Sequence, residues 1–394
     1  MRRVYLDYSA TTPTKQEVLD AMMPYFTEVF GNPSSIHGFG REAKKVVNES
    51  RATIASLMNA DEKEFFFTAG GTESDNWAVK GAAKAMKDRN KGNHIITSKI
   101  EHHGILHTCE TLEKEGFEVT YLDVDEYGMI SLDELKAAIK PETTLITIMY
   151  ANNEIGTVQP VKEIGAIAKE HGVLFHTDAV QAFGNFKIDV KEMNIDMMSI
   201  SSHKIYGPKG IGGLYIRKGL RIQNFVDGGA QERKKRAGTE NVPGIVGFAK
   251  AAEIAYRDFD AHIEKLTTLR ERLRNGIMET IDYAKYNGHP ELRHPGNVHV
   301  AFEFIEGEAL LLSLDMVGVA GSSGSACTSG SLDPSHVLMS IGLTHEIAHG
   351  SLRLTIGDFT TEEDVDYTVK ELKGIVDRLR MMSPLYDKVL KGGN

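Results

Sequence analysis

Four short polar segments carry side chains that could do chemistry together. Ser201-Ser202-His203-Lys204 follows the apolar run Met197-Met198-Ser199-Ile200 and precedes Gly207-Pro208-Lys209-Gly210. A desolvated lysine amine there can form a Schiff base with an aldehyde cofactor, and the neighbouring hydroxyls and imidazole suit that cofactor's phosphate. The plainer reading of a Ser-His-Lys run is solvated surface. Val173-Leu174-Phe175 leads into His176-Thr177-Asp178, with Gln181 three residues on. A buried carboxylate in that place keeps a ring nitrogen protonated by a charge-assisted hydrogen bond, and an amide can bond a ring hydroxyl. The plainer reading makes Asp178 the N-cap of a following helix. Phe67 to Ser74 reads as a strand, a glycine turn and a helix start, whose free N–H groups bind phosphate. It lacks the spacing of a P-loop or dinucleotide fingerprint. Glu101-His102-His103, with His107 and Cys109 nearby, admits metal ligands, or one imidazole stacked on a planar ring and able to move protons near neutral pH.

The chain has two cysteines, Cys109 and Cys327. That count argues against a disulfide scaffold and fits a reducing compartment. Either thiol could be a small buried hydrophobe, but Cys327 sits in Gly321 to Ser331, where every other residue is Gly, Ser, Ala or Thr. Such a run reads as a flexible loop. His345-Glu346-Ile347-Ala348-His349 matches the pattern of zinc proteases. Gly342 and Gly350 bracket it, leaving room for only a short surface helix.

Positioning these groups falls to an alternation of apolar runs and amphipathic stretches between about residues 60 and 220. This is the pattern of βα units on a largely parallel sheet. Phe65–Phe67, His94–Thr97, Leu145–Met149, Val173–Phe175 and Met197–Ile200 are the expected strands. Each ends in a polar cluster, so the clusters converge on the carboxyl edge of the sheet, where open α/β folds bind ligands. Beyond residue 245 the pattern turns to long charged helices, such as Ala251–Asn275 and Thr361–Met381. The expected division is a large cofactor-binding domain, 16–258, and a smaller α+β domain made of 1–15 with 259–394. A chain of 394 residues, 41% hydrophobic and 25% charged, suits such a soluble α/β protein. Its net charge of -10 disfavours nucleic acid, despite the basic run Arg233 to Arg236. No stretch approaches the roughly 20 apolar residues of a membrane span, and Met1 to Asp7 lacks a signal-peptide core. The expected location is the cytoplasm.

Taken together, these segments resemble the cysteine desulfurases, pyridoxal-phosphate enzymes of fold type I. The similarity runs from Tyr5-Leu6-Asp7-Tyr8-Ser9-Ala10-Thr11-Thr12-Pro13 and Gly31-Asn32-Pro33-Ser34-Ser35 through Thr72-Glu73-Ser74-Asp75-Asn76, Glu101-His102, Asn152-Asn153-Glu154-Ile155-Gly156 and Asp178-Ala179-Val180-Gln181. It continues through Ser202 to Gly210, Arg236-Ala237-Gly238-Thr239 and Ser322 to Cys327. The resemblance implies Lys204 as the Schiff-base lysine, Asp178 at the ring nitrogen, Gln181 at the ring hydroxyl and His102 stacked on the ring. Gly71, Thr72, Ser201 and His203 look like phosphate ligands, and Thr239 is similar to the position that reaches a partner subunit's phosphate, implying a homodimer. Asn153 and Arg353 look like the groups that hold the carboxylate of L-cysteine. Cys327 looks like the residue that takes the sulfur as a persulfide and passes it to an acceptor such as an iron–sulfur scaffold protein. The glycine–serine loop is that of the family's group I, and Gly238 to Pro243 with the tail Met382 to Tyr386 look closer to its nitrogen-fixation type. Selenocysteine lyase, another β-eliminating or transaminating member of the fold, and a non-catalytic binding scaffold are the competing readings.

Overall fold

The computed structural model describes residues 2–323 and 334–390; Cys327 and the rest of 324–333 lie outside them. Its strands in chain order are β1 (Val4–Tyr5), β2 (Phe65–Thr68), β3 (His94–Ser98), β4 (Glu118–Leu122), β5 (Thr143–Thr147) and β6 (Leu174–Asp178), then β7 (Met197–Ser201), β8 (Gly212–Ile216), β9 (Ala284–Tyr286), β10 (Asn297–Phe302), β11 (Val319–Ala320) and β12 (Ser351–Thr355).

Seven strands form one sheet in the order β2-β8-β7-β6-β5-β3-β4. All neighbours are parallel except β8, which runs antiparallel to both β2 and β7. Alternate residues point to opposite faces, and both faces are covered. Phe65, Phe67, Ile96, Ile146, Phe175 and Met198 pack on one side with the helices Gln16–Met22, Gly38–Ser56, Val161–His171 and Val242–Arg257. Phe66, Ile95, Leu145, Leu174 and Met197 pack on the other with Gly71–Asp88 and His103–Lys114. Burial on both faces is why these strands read as continuous apolar runs.

The five expected strands are all present, with β5 set two residues earlier than the apolar run. Two more were not anticipated. β4 is a sheet edge and carries the polar sequence Glu-Val-Thr-Tyr-Leu. β8 opens with Gly212-Gly213, and a side chain at Gly213 would meet the Phe65 ring at 2.0 Å. The helical pattern Ala251–Asn275 is broken at Asp258 into Val242–Arg257 and Phe259–Thr280, with Tyr256 and Phe259 stacked across the break at 5.5 Å. The helix Glu362–Met381 starts as expected, on a capping box made by Thr361 and Asp364.

A three-stranded antiparallel sheet, β12-β10-β9, packs with the helices Phe259–Thr280, Gly307–Met316 and Glu362–Met381 around a second core. β1 pairs in parallel with β11, and single bridges carry Asp7 onto Thr355 and Ser322 onto Arg353. A fourth cluster, with Ile100, Met149 and Ile155 against Ala301, Leu338, Ile341 and Ala348, joins this part to the carboxyl edge of the large sheet. The His345–His349 helix is five residues long. Its Ala348 is buried in that cluster while His345 and Glu346 face out, so it is the short surface helix that the flanking glycines imply.

Candidate active site

At the carboxyl edge of β5, β6 and β7 lies a cavity of about 290 Å³. Ten of the residues singled out in the sequence line it: Lys204, Asp178, Gln181, His102, Gly71, Thr72, Asn153, Ser201, His203 and Arg353.

One end suits an anion. Gly71 and Thr72 open the 18-residue helix Gly71–Asp88, whose first N–H groups have no partner inside the helix. A Cβ on Gly71 would come within 2.7 Å of Val180 Cγ2, so only glycine lets the backbone pass here. Ser201 Oγ is buried and makes no hydrogen bond among the described residues. His203 Nδ1 is 3.2 Å from Thr11 Oγ1, and burial together with the Lys204 and Lys209 cations lowers its pKa to about 4.

The middle of the cavity is a floor of carboxyl groups. Asp178 ends β6, and its Oδ1 accepts the Val180 N–H at 2.9 Å. No helix follows it, so Asp178 closes a turn and is not an N-cap. Burial raises its pKa to about 6, opposed by the Val180 N–H and the Lys204 cation. Gln181, on the same turn, donates to the Ser9 carbonyl at 3.1 Å. Lys204 comes off a single 3₁₀ turn after β7 and donates to the carbonyls of Ser9 and, at 2.9 Å, Ala10. His102 caps the helix His103–Lys114 by accepting the Gly104 N–H on Nδ1 at 3.0 Å. Burial and the nearby Lys204 cation bring its pKa down to about 4, so the ring is neutral with its proton on Nε2.

At the far end Arg353, on β12 and only 3% exposed, ion-pairs with Asp7 Oδ1 at 2.9 Å and donates to the Asn153 carbonyl at 3.1 Å. Its Nε is buried without a partner among the described residues. The guanidinium is thus held at its edge by Asp7 and Asn153 and has donor capacity left for a carboxylate.

Two of the sequence candidates are not among these described lining residues. Cys327 is outside the described residues. Thr239 is exposed and lines a second cavity with Glu232 and Arg236. Just before it, Glu232, Arg233 and Lys234 all take positive φ (44°, 55° and 64°), a costly conformation for L-residues. It is fixed by the buried Arg51–Glu232 pair, with contacts of 2.6 and 2.7 Å, and by the Phe67 N–H on Glu232 Oε2. Cys109 is buried in the core beside Ile105 and Leu112, and burial pushes its pKa up to about 12, which makes it a packing residue.

Sequence reasoning assigned no role to Asp75. It lines the same cavity, four residues after Gly71 and so on the same helix face. Its position inside a helix start, next to a more conspicuous Gly-Gly-Thr turn, hid it. Asp75, His102 and Asp178 are the one group of three metal-ligand-type side chains found among the described residues, and it lies within this cavity.

The aminotransferase class-V family pattern matches residues 4–368. A cysteine desulfurase IscS of Clostridium botulinum is 57% identical over 392 residues, 99% of this chain and 98% of that one. Another of the same name from Methanosarcina thermophila is 57% identical over 98% of this chain and 95% of its own. The chain belongs to the aminotransferase class-V family, among its cysteine desulfurases. Among solved structures, a NifS-like protein superimposes with a TM-score of 0.90 at 38% identity, covering 96% of this chain and all of that one. One described as SspA in complex with cysteine gives 0.81 at 38% identity, over 91% of this chain and all of its own. Cysteine desulfurases use pyridoxal phosphate, and the cavity fits it: an orphaned hydroxyl and a helix N-terminus stand at one end, buried carboxyls along the floor, and an amine beside them.

Proposed function

We propose that this desulfurase converts L-cysteine to L-alanine and takes the sulfur onto Cys327 as a persulfide. Supporting this most directly is the convergence of an amine, a buried carboxyl, an imidazole and an arginine in one cavity, whose Arg353 bridges to Ser322 near the start of the glycine–serine run. Gly71, Thr72, Ser201 and His203 would hold the cofactor's phosphate, Asp178 its ring nitrogen, Gln181 its ring hydroxyl and Lys204 its aldehyde carbon. Bound there, pyridoxal phosphate supplies an electron sink next to the substrate's α-carbon.

The chain's own residues do the rest. Arg353 and Asn153 hold the substrate carboxylate. Neutral His102 would lie against the cofactor ring, and it and the Lys204 amine would move the α-proton. The Cys327 thiolate attacks the substrate sulfur; the carbon–sulfur bond breaks as the sulfur–sulfur bond forms, and the carbon fragment leaves as alanine. No outside oxidant is needed: the carbon–sulfur electron pair stays with the β-carbon, which is reduced to alanine's methyl group on taking up protons, while the two thiol sulfurs are oxidised to the persulfide.

Residues 16–258 form the cofactor-binding domain in this reading, and 1–15 with 259–394 the smaller one. Thr239, exposed and outside its own chain's cavity, serves the phosphate of a partner subunit in a homodimer. Exposed Phe26, Phe30, Ile36 and Phe39, with Phe30 and Phe39 packed at 5.7 Å, support a partner surface. The sulfur acceptor is a scaffold protein for iron–sulfur clusters, and the enzyme works in the cytoplasm; among the described residues no helix is long and apolar enough to cross a membrane.

The decisive test is Cys327→Ala. The cofactor stays bound and yellow, while alanine and sulfide release from L-cysteine falls by at least about 10³-fold, as when a nucleophile is removed. Undiminished release would transfer the chemistry to another group.

A further inference from the structure

Asp75 has no part in the mechanism above, yet it is 1% exposed and faces the cofactor cavity. One of its carboxyl oxygens, one Asp178 oxygen and a His102 nitrogen all lie within 4.8 Å of one another. Two carboxylates that close in a buried site do not both ionise. Which of them keeps the proton follows from what faces each. Asp178 has the Val180 N–H at 2.9 Å and the Lys204 cation. Asp75 has the Ser199 hydroxyl alone to favour its charged form; Asp178 and Glu101 oppose it, and the His176 Nε2 is 3.9 Å away on a ring that burial keeps neutral. That ring is itself tied up, with Nδ1 at 2.8 Å from Thr147 Oγ1 and Nε2 at 2.9 Å from Ser199 Oγ. Among the described residues no cation pairs with Asp75. Space is kept for it deliberately: a Cβ on Gly104 would sit 3.1 Å from His102 Nδ1 and 3.2 Å from Asp75 Oδ2.

We infer that Asp75 is a positioning residue of the cofactor site: a neutral carboxylic acid beside Asp178 and His102, which confines the single negative charge of the pair to Asp178. A charge fixed on Asp178 is what holds a proton on the ring nitrogen. This rests on the reading of Asp178 as the ring-nitrogen partner.

The test uses the cofactor-loaded protein and three variants, Asp75→Asn, Asp75→Ala and Asp178→Asn. Two quantities are read: the cofactor dissociation constant and the infrared C=O stretch of protonated carboxyl groups. Asparagine reproduces the neutral acid in shape and polarity, so Asp75→Asn keeps cofactor affinity within about threefold of wild type and removes one protonated-carboxyl band. Asp75→Ala, which removes the acid beside Asp178, loses about tenfold. The inference is overturned if no band disappears in Asp75→Asn, if that variant loses as much affinity as Asp75→Ala, or if Asp75→Ala loses nothing. Should Asp75→Ala fail to fold, wild type and Asp75→Asn still decide through the infrared band. Asp178→Asn separates the two readings: unchanged cofactor affinity and absorbance there would remove the role of Asp178, whatever the band of Asp75 shows.

Discussion

Arg353→Lys isolates substrate recognition from everything else in the site. The guanidinium is buried, anchored by Asp7 at 2.9 Å and by the Asn153 carbonyl at 3.1 Å, with Nε still to be satisfied. Lysine preserves the positive charge, so Asp7 is not left as an unpaired anion and the several-kcal/mol penalty of a broken buried pair is avoided. What disappears is the planar fork. A charge-assisted hydrogen bond of this kind is worth about 1.5–3 kcal/mol. At about 1.36 kcal/mol per decade that corresponds to a loss in kcat/KM for L-cysteine of roughly 10- to 150-fold. The assay is alanine formation from L-cysteine in the presence of a reductant, run beside a spectral titration of the bound cofactor with cysteamine, which has the amine and thiol of cysteine but no carboxylate. The titration with cysteamine stays as in wild type. If cysteamine binding weakens by the same factor, or kcat/KM for L-cysteine is unchanged, Arg353 does not hold the substrate carboxylate.

Two further outcomes concern groups with different duties. Lys204→Ala protein gives up its cofactor on gel filtration under conditions where wild type retains it, as the covalent attachment proposed for Lys204 requires; retention would show that another group anchors it. Glu101→Gln probes burial: Glu101 has a pKa raised by burial to about 8, against about 4.5 in an unfolded chain. Between those values only the unfolded chain releases the proton, so wild-type stability falls as pH rises and stops falling above about 8. The glutamine variant has no such proton, so the urea midpoints of the two chains diverge from pH 5 to 8 and run parallel above it. Parallel behaviour throughout would mean that Glu101 is ionised in the folded protein.

Much of the fold was readable because two-sided burial writes itself as apolar runs. β2, β3, β6 and β7 each end in a polar cluster, and those clusters do meet in one cavity. What escaped notice did so for physical reasons. β4 is an edge strand, and residues such as Glu118 and Thr120 on it carry no continuous apolar run. β8 begins with two glycines because the Gly70 backbone crowds Gly212 and the Phe65 ring occupies the space a side chain at Gly213 would need. Asp258 breaks a charged helix without any proline or glycine to announce it. Within the site, Lys204, Asp178 and His102 stood out by residue type and position after strands. Asp75 and Asp7 did not, since a carboxylate inside a helix or at the end of a two-residue strand looks like ordinary surface until its neighbour, Asp178 or Arg353, is known.

The segment Val4 to Thr12 bears on the order in which the molecule is made. It supplies the Ser9 and Ala10 carbonyls to Lys204, and Asp7 to Arg353, while β1 pairs with β11 and Asp7 bridges to Thr355. Asp7 and Arg353 are 346 positions apart. During synthesis the large sheet can collapse once β8 has emerged, but the strap has no partner strand until some hundred residues later. The pocket is therefore completed only after the large sheet can form. Loops closed over such separations form slowly, so recovery of cofactor-retaining protein after dilution from denaturant should lag behind recovery of the sheet.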